Sequence, residues 1–298
     1  MDALDNAWSA VLDMVVLAEK KIGLKTFFVE AFSSFLLFAL FWIPMVSFAA
    51  LGFDKLWGWG WHCFGMCFWD DWTTNTLGAN LVNPVFVLVG VVTGTMKLKE
   101  AGARLTGEIA AGIFAFTIIK DCLGIPGKVA NHQGMSGPKV DVAFQAGGSQ
   151  AKTLGLPWQV QPALCECALA ALMVIGFTLI PKLFTSKLLR RVLPAVVTRA
   201  LIQAGSNISG GCFNPLVAFA WMAYNKSWTF DARRDYIFIY ILAPLIGGVV
   251  GATTLTLALR VSSGKASLGR TRSSNSSNSG SGSSDGGSRS RSSGKKRR

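Results

Sequence analysis

Long apolar stretches alternate with short polar ones along most of the chain. Several of them approach the roughly 20 residues that a helix needs to cross a bilayer. The clearest apolar stretches are 26–51, 160–181 and 235–260. The six candidate crossings are 26–51, 56–75, the lysine-interrupted pair 84–96 with 101–119, 160–181, 187–206 and 235–260. This pattern predicts an all-α membrane protein with six transmembrane helices.

The composition supports that prediction and limits what the charge means. Charged residues make up 15% of the chain, against roughly 25% in average globular domains, and hydrophobic residues make up 51%. The basic excess is concentrated at one end, because residues 260–298 hold ten Lys and Arg against one acidic residue, Asp285. The high positive charge therefore describes a tail, and it does not indicate nucleic-acid binding.

The distribution of Lys and Arg predicts an orientation. Basic clusters precede the first span, separate the fourth from the fifth, and follow the sixth. With six crossings these clusters lie on one side, which the positive-inside rule makes cytoplasmic. We therefore predict a cytoplasmic N-terminal segment over 1–25, a membrane domain over 26–260 and a disordered basic Ser/Gly-rich tail over 261–298.

The two halves of the membrane domain form a weak internal repeat. Each half opens with an apolar span that carries one glutamate, Glu30 or Glu166. An Asn-Pro pair preceded by glycine follows 53 residues later at Asn83 and 48 residues later at Asn214. Three crossings per half is an odd number, so the second half is inverted relative to the first, and inverted repeats bring discontinuous helices to the bilayer midplane.

Each Asn-Pro pair has the chemistry of a helix start. Asn is a strong N-cap, and Pro suits the first helical position. A start at membrane depth leaves irregular backbone that must be buried in protein or line a water-filled path. We predict two re-entrant half-helices, with Glu30 and Glu166 accepting hydrogen bonds from the backbone before them. The two motifs are Asn83-Pro84-Val85 and Asn214-Pro215-Leu216.

With these residues in hand, the chain resembles the aquaporin superfamily, and within it the small basic intrinsic proteins. The likeness is carried by CFNPLVAFAWMAYNKSWTFDARRDYIFIYILAPLIGG at 212–248, GPKVDV at 137–142 and ARLTGEIAAGIF at 103–114. It implies a homotetrameric channel in a lipid bilayer, passing water or small neutral solutes past two converging helix N-termini that repel cations. It also implies residence in the endoplasmic reticulum.

The chain departs from orthodox members at the positions that line the pore constriction. The resemblance assigns the constriction to Val217, where those members have Arg, and to Gly211, Ile202 and either His62 or Cys63. Such a constriction is wider and less polar than the water-selective type. This implies slow water flux and passage of peroxide or glycerol.

The motif regions depart from the family pattern as well. Leu216 stands where the second motif usually has Ala, and LGANLVNP carries one extra residue before Asn83. The extra residue predicts that the first half-helix is displaced. It also raises a rival function, a non-conducting membrane scaffold that keeps the fold.

Arg199 and Cys212 are further candidates near the pore. Arg199 lies three residues before Ile202 and shares its helix face, so it is a candidate for a pore-lining charge. The alternatives are that it reaches the headgroups or pairs with Asp70 or Asp71. Cys212 comes two residues before Asn214, so we expect it at the pore mouth.

The remaining polar motifs do not indicate metal or catalytic chemistry. His62, Cys63 and Cys67 form an H-C-x3-C sequence, but the second ligand pair of a zinc site is missing from the sequence. The chain has only two histidines, and neither belongs to a known hydrolase or metalloprotease motif. We therefore expect no metal, no cofactor and no enzyme activity.

The tail carries a candidate sorting signal. Lys295 and Lys296 match the dilysine signal that a coat-type sorting receptor reads to return membrane proteins to the endoplasmic reticulum. The alternative is a basic tail attracted to anionic lipid, in a protein of the plasma membrane.

Overall fold

A computed structural model describes residues 23–50, 55–77, 81–118, 155, 157–225 and 230–274. Within these residues the regular structure is helical, and it contains no strand. The first half holds α1 (Leu24–Ala50), α2 (Lys55–Thr76), α3 (Pro84–Val92) and α4 (Leu98–Thr117). The second half holds α5 (Val160–Leu183), α6 (Lys187–Gly205), α7 (Pro215–Asn225), α8 (Phe230–Ile237), a π-helical stretch (Phe238–Leu242) and α9 (Ala243–Ser274). The expected all-α fold class is confirmed.

Both halves follow the same order: two long helices, one short helix, then a long helical stretch. The short helices α3 and α7 begin at Pro84 and Pro215, as the Asn-Pro motifs predict. Helix α3 is followed by Gly94 at φ 72°, a left-handed conformation that glycine adopts without a steric cost. The internal repeat seen in the sequence therefore corresponds to a repeat of elements.

Each short helix packs against the last long helix of the opposite half. Gly112 of α4 lies beside Leu216 and Phe219 of α7, and Gly248 of α9 lies beside Val85 of α3. A methyl group on Gly248 would lie 2.3 Å from Val85 Cγ1 and collide with α3, whereas one on Gly112 would make a tight contact of 3.2 Å with Phe219 on α7. We call the gaps at Gly112 and Gly248 the glycine notches. Each notch holds the half-helix of the opposite half, so the two halves interlock.

Glycine also allows the close helix contacts within each half. Gly107 of α4 lies against the backbone of Phe27 and Ala31 on α1, and Gly247 of α9 lies against the backbone of Cys167 on α5. Small residues at helix interfaces are typical of membrane bundles, where close backbone approach supplies the packing energy.

The surface and two of the helices agree with a membrane location. Within the described residues, Val160–Leu183 and Arg234–Val261 are long and apolar enough to cross a bilayer. Large apolar side chains such as Phe28, Phe64 and Ile246 are exposed on the surface of the protein. The total of six crossings stays a prediction.

Contacts divide the chain into a unit of Met1–Leu255 and a unit of Thr256–Arg298. Helix α9 ends at Ser274. The predicted bounds of the membrane domain at 26–260 and of the basic tail at 261–298 stay predictions. Residues 275–298, including Lys295 and Lys296, lie outside the described part.

Candidate functional site

The two half-helices start in the same way. The Asn83 side-chain oxygen accepts a hydrogen bond from the Val85 N–H at 3.0 Å, and the Asn214 side-chain oxygen accepts one from the Leu216 N–H at 2.9 Å. Asn83 itself has an extended backbone with φ −154° and ψ 115°, as N-caps do. Each Asn thus satisfies a backbone donor that the helix start leaves without a partner.

A buried glutamate holds the backbone before each half-helix. Glu30 Oε1 accepts the N–H groups of Leu81 and Val82 at 2.9 and 2.5 Å. Glu166 accepts the N–H of Cys212 at 3.0 Å on Oε1 and that of Phe213 at 2.5 Å on Oε2. Both carboxylates are fully buried, and they make the backbone hydrogen bonds expected from the sequence. Irregular backbone at this depth requires such partners.

The residue before each Asn has an unusual backbone. Val82 has φ 45° and Phe213 has φ 28°, and the two occupy equivalent places in the repeat. Left-handed conformations of bulky residues cost on the order of 1–3 kcal/mol and persist where the surroundings enforce them. Here the enforcing groups are Glu30 and Glu166, which bind the N–H groups of these same residues.

The two half-helix starts meet at one cavity of about 150 Å³, and Asn83 and Asn214 both line it. Asn214 Nδ2 donates to the Val82 carbonyl oxygen at 3.1 Å, which joins the two halves directly. Displacement of the first half-helix relative to family members stays a prediction. The hydrogen bonds from Glu30 and from Asn214 fix residues 81–83 at the cavity.

Most residues assigned to the constriction line this cavity: His62, Ile202, Gly211 and Val217, together with Cys212. The open choice between His62 and Cys63 is decided by geometry. Cys63 is not in the cavity wall, and its thiol points to the Ala195 carbonyl oxygen of α6 at 4.0 Å. Gly211 has φ 65°, and a methyl group there would lie 2.5 Å from the Ile202 carbonyl oxygen.

Arg199 is not among the residues that line this cavity, whereas its neighbour Thr198 is. A role for Arg199 as a pore-lining charge stays a prediction. Arg199 is only 6% exposed, which excludes the headgroup alternative, and it lies close enough to His62 and Cys63 to interact with them electrostatically. The side chains of Asp70 and Asp71 lie outside the described part.

The third residue of each motif packs away from the cavity. Val85 and Leu216 are buried, and each faces the glycine notch on the opposite half, Gly248 or Gly112. These two side chains therefore contribute to the packing between the halves and not to the cavity wall.

Sequence reasoning missed several residues of the cavity wall. Met173 accepts a hydrogen bond from Asn83 Nδ2 at 3.8 Å through its thioether sulfur. Met66 lies one helical turn after His62, a spacing that could have indicated it. The others carry no pattern in the sequence that separates them from core residues. The missed residues of the wall are Leu37, Met66, Leu81, Val82, Phe86, Met173, Phe177, Thr198 and Phe213.

The groups that support the two glutamates were also missed, and they differ between the halves. Arg104 of α4 forms a 2.6 Å ion pair with Glu30 Oε2. Glu166 instead accepts the Ser209 hydroxyl at 2.5 Å, and Tyr240 donates to the Ser209 carbonyl oxygen at 2.7 Å. The first glutamate thus pairs with a cation, and the second accepts hydrogen bonds from neutral donors.

This arrangement defines an all-α membrane protein whose paired half-helices enclose a cavity. Residues 160–284 match the model of the Major intrinsic protein family. This match supports the resemblance to the aquaporin superfamily drawn from the sequence, and that family implies a membrane channel for water or small solutes. No curated protein matches the chain.

Proposed function

We propose that the chain is a channel for passive transport of water and of small neutral solutes such as peroxide or glycerol, through the cavity between α3 and α7. The observation that carries the proposal is that Asn83 and Asn214 line one cavity at the N-termini of two helices. Helix N-termini carry partial positive charge, so their convergence opposes cations while the side-chain amides bind neutral oxygen atoms.

The chemistry of the wall favours solutes larger than water. Val217 places a neutral branched side chain where an Arg would supply charge and hydrogen bonds, and Gly211 adds no side chain at all. His62 and Thr198 are the main polar side chains beside the two Asn residues. Because the wall has few hydrogen-bond donors, it discriminates less strongly between polar solutes. The small side chains at positions 211 and 217 also leave more room for a solute of the size of glycerol.

The test is stopped-flow swelling of proteoliposomes that contain the full chain. We expect faster water and glycerol entry than in protein-free vesicles. Val217→Arg should lower glycerol entry while retaining water flux, because it adds a bulky charged group to the wall. Val217→Ile, which changes size without charge, is the matched control. Vesicles that swell no faster than protein-free ones would favour the rival function, a non-conducting scaffold.

We further propose residence in the endoplasmic reticulum and a homotetrameric assembly, both supported by the resemblance to small basic intrinsic proteins. Lys295 and Lys296 support the location through a coat-type receptor. Replacing both lysines with Ala should move the protein toward the cell surface, whereas replacing Lys265 with Ala should not. Chemical crosslinking in native membranes tests the assembly.

A further inference from the structure

Glu108 of α4 is a fully buried acidic residue that the pore does not use. It has no exposed surface, and neither carboxyl oxygen has a hydrogen-bond partner among the described residues. It lies one helical turn after Arg104, on the side of α4 that faces α1. A buried carboxylate without partners is costly, and such groups normally bind a proton, a cation or a donor instead.

The charges around Glu108 do not balance if both buried carboxyl groups are ionised. From α1 it faces Glu30, and from its own helix it faces Arg104. The other described ionisable residue of α1 is Lys25, which is exposed, and neither α3 nor the described side chains of α7 include an ionisable group. Arg104 already pairs with Glu30 at 2.6 Å and with Glu100 at 2.9 Å.

The site is connected to the pore through Asn83. The Asn83 backbone N–H lies near Glu108 without a hydrogen bond of good geometry, and the Asn83 side chain lines the cavity. Arg104, the other neighbour, binds the Glu30 carboxylate that holds Leu81 and Val82. A change of charge at Glu108 therefore acts on both groups that position the first half-helix.

We propose that Glu108 is a proton-binding site beneath the first half-helix, and that release of its proton to solvent lowers flux through the cavity; the second clause rests on the proposed channel function. The ionised carboxylate attracts the Arg104 guanidinium and the Asn83 N–H, since charged acceptors form the stronger hydrogen bonds. Both donors are then drawn from the positions that hold residues 81–83 at the cavity.

Infrared spectroscopy of the full chain in lipid bilayers at neutral pH tests whether Glu108 binds a proton. We expect a protonated carboxyl band that is lost in Glu108→Gln and retained in Glu100→Gln, which removes a half-exposed carboxylate bound to the same arginine. Gln resembles the neutral acid in shape, so the variant should fold. A wild-type spectrum without a protonated carboxyl, or a band that persists in Glu108→Gln, overturns the proposal. The wild-type measurement does not depend on a variant folding.

The coupling to the pore is tested by swelling assays over a series of pH values. Wild-type flux should fall as the pH rises, and Glu108→Gln should keep its flux at all pH values. Wild-type flux that is independent of pH overturns the coupling. Absence of flux at every pH contradicts the proposed channel function instead, and the infrared band still decides whether Glu108 binds a proton.

Discussion

Asn83 and Asn214 each perform two tasks that require an amide. The side-chain oxygen accepts from the second residue of the half-helix, and the side-chain nitrogen donates, to Met173 in one case and to Val82 in the other. Asp lacks the donor and Ser cannot reach both partners with one oxygen. The same pair of atoms thus starts the helices, ties them to their surroundings and lines the cavity.

Substitution of Gly211 tests the backbone geometry at the start of the second half-helix. Gly211→Ala should destabilise the protein by about 2–4 kcal/mol and reduce flux, because φ 65° is strained for Ala and the new methyl group would lie 2.5 Å from the Ile202 carbonyl oxygen. Thermal unfolding in detergent measures the first effect and swelling measures the second. Gly102→Ala is the control, since that glycine has open space around it and Ala favours helix by about 1 kcal/mol.

Cys212 tests whether the cavity is the transport path. Its side chain lines the cavity and lies 3.5 Å from the Asn214 carbonyl oxygen. A mercurial bound to this thiol would fill space beside the half-helix start. We expect mercurials to block swelling in the wild type and in Cys63→Ser, and to have no effect in Cys212→Ser. Full block in Cys212→Ser would place the path elsewhere.

At the residue scale, sequence reasoning succeeded where a side chain has a specific partner. Asn before Pro and Glu within an apolar span have few alternative roles, so their hydrogen bonds could be predicted. It could not single out Thr198 as a residue of the cavity wall, because positions three and four before Ile202 lie on nearly the same face of a helix. It also could not predict a left-handed Val82, since Val avoids that region unless tertiary contacts enforce it.

At the element scale, the two glutamate anchors differ in what supports them. Glu166 accepts three hydrogen bonds from neutral donors, two of them backbone N–H groups. Glu166→Gln replaces one of the two carboxylate oxygens with an NH2 group, which leaves at least one buried N–H group without an acceptor at about 1–3 kcal/mol and faces it with amide hydrogens. We expect a loss of about 2–5 kcal/mol in the free energy of unfolding, together with lower flux.

The matched control for that anchor is Glu100→Gln. Its carboxylate is 41% exposed and pairs with Arg104 on the helix surface, so its loss should change stability by no more than about 0.5 kcal/mol. Equal unfolding temperatures for Glu166→Gln and Glu100→Gln would contradict the role of Glu166 as an anchor. The comparison holds the chemical change constant and varies only burial and partners.

The helices could be predicted from the apolar pattern of the sequence, whereas their packing could not. The span predicted over 26–51 is helix Leu24–Ala50, and the helix starts at Pro84 and Pro215 follow from their Asn caps. The notches at Gly112 and Gly248 could not be predicted, because each is defined by a half-helix from the opposite half of the chain. For the same reason the sequence could not show that Val85 and Leu216 are packing residues.

At the scale of the whole molecule, the two halves keep one arrangement with different residues. The family match covers 160–284 and leaves the first half outside it. The first half nevertheless repeats the glutamate, the Asn cap, the left-handed residue before it and the glycine notch of the second half. These shared positions give the first half the same local geometry as the second.

The interlocking of the halves makes a prediction about coupling between distant parts of the chain. A methyl group on Gly248 would lie 2.3 Å from Val85 Cγ1, and Val85 is itself fully buried. Gly248→Ala should therefore destabilise the protein by overpacking, and Val85→Ala should destabilise it by leaving a cavity. The double variant should lose less stability than the sum of the losses in the two single variants, because the new methyl group occupies space that the valine vacates.

The measurement is a double-mutant cycle of thermal unfolding, with an expected coupling of about 0.5–3 kcal/mol. Val87→Ala is the matched control, since Val87 is equally buried on α3 but is not among the atoms nearest Gly248. Its effect should add to that of Gly248→Ala. Additivity for Val85 as well would mean that α3 and α9 do not meet through this notch, and the interlocked arrangement of the two halves would then be wrong.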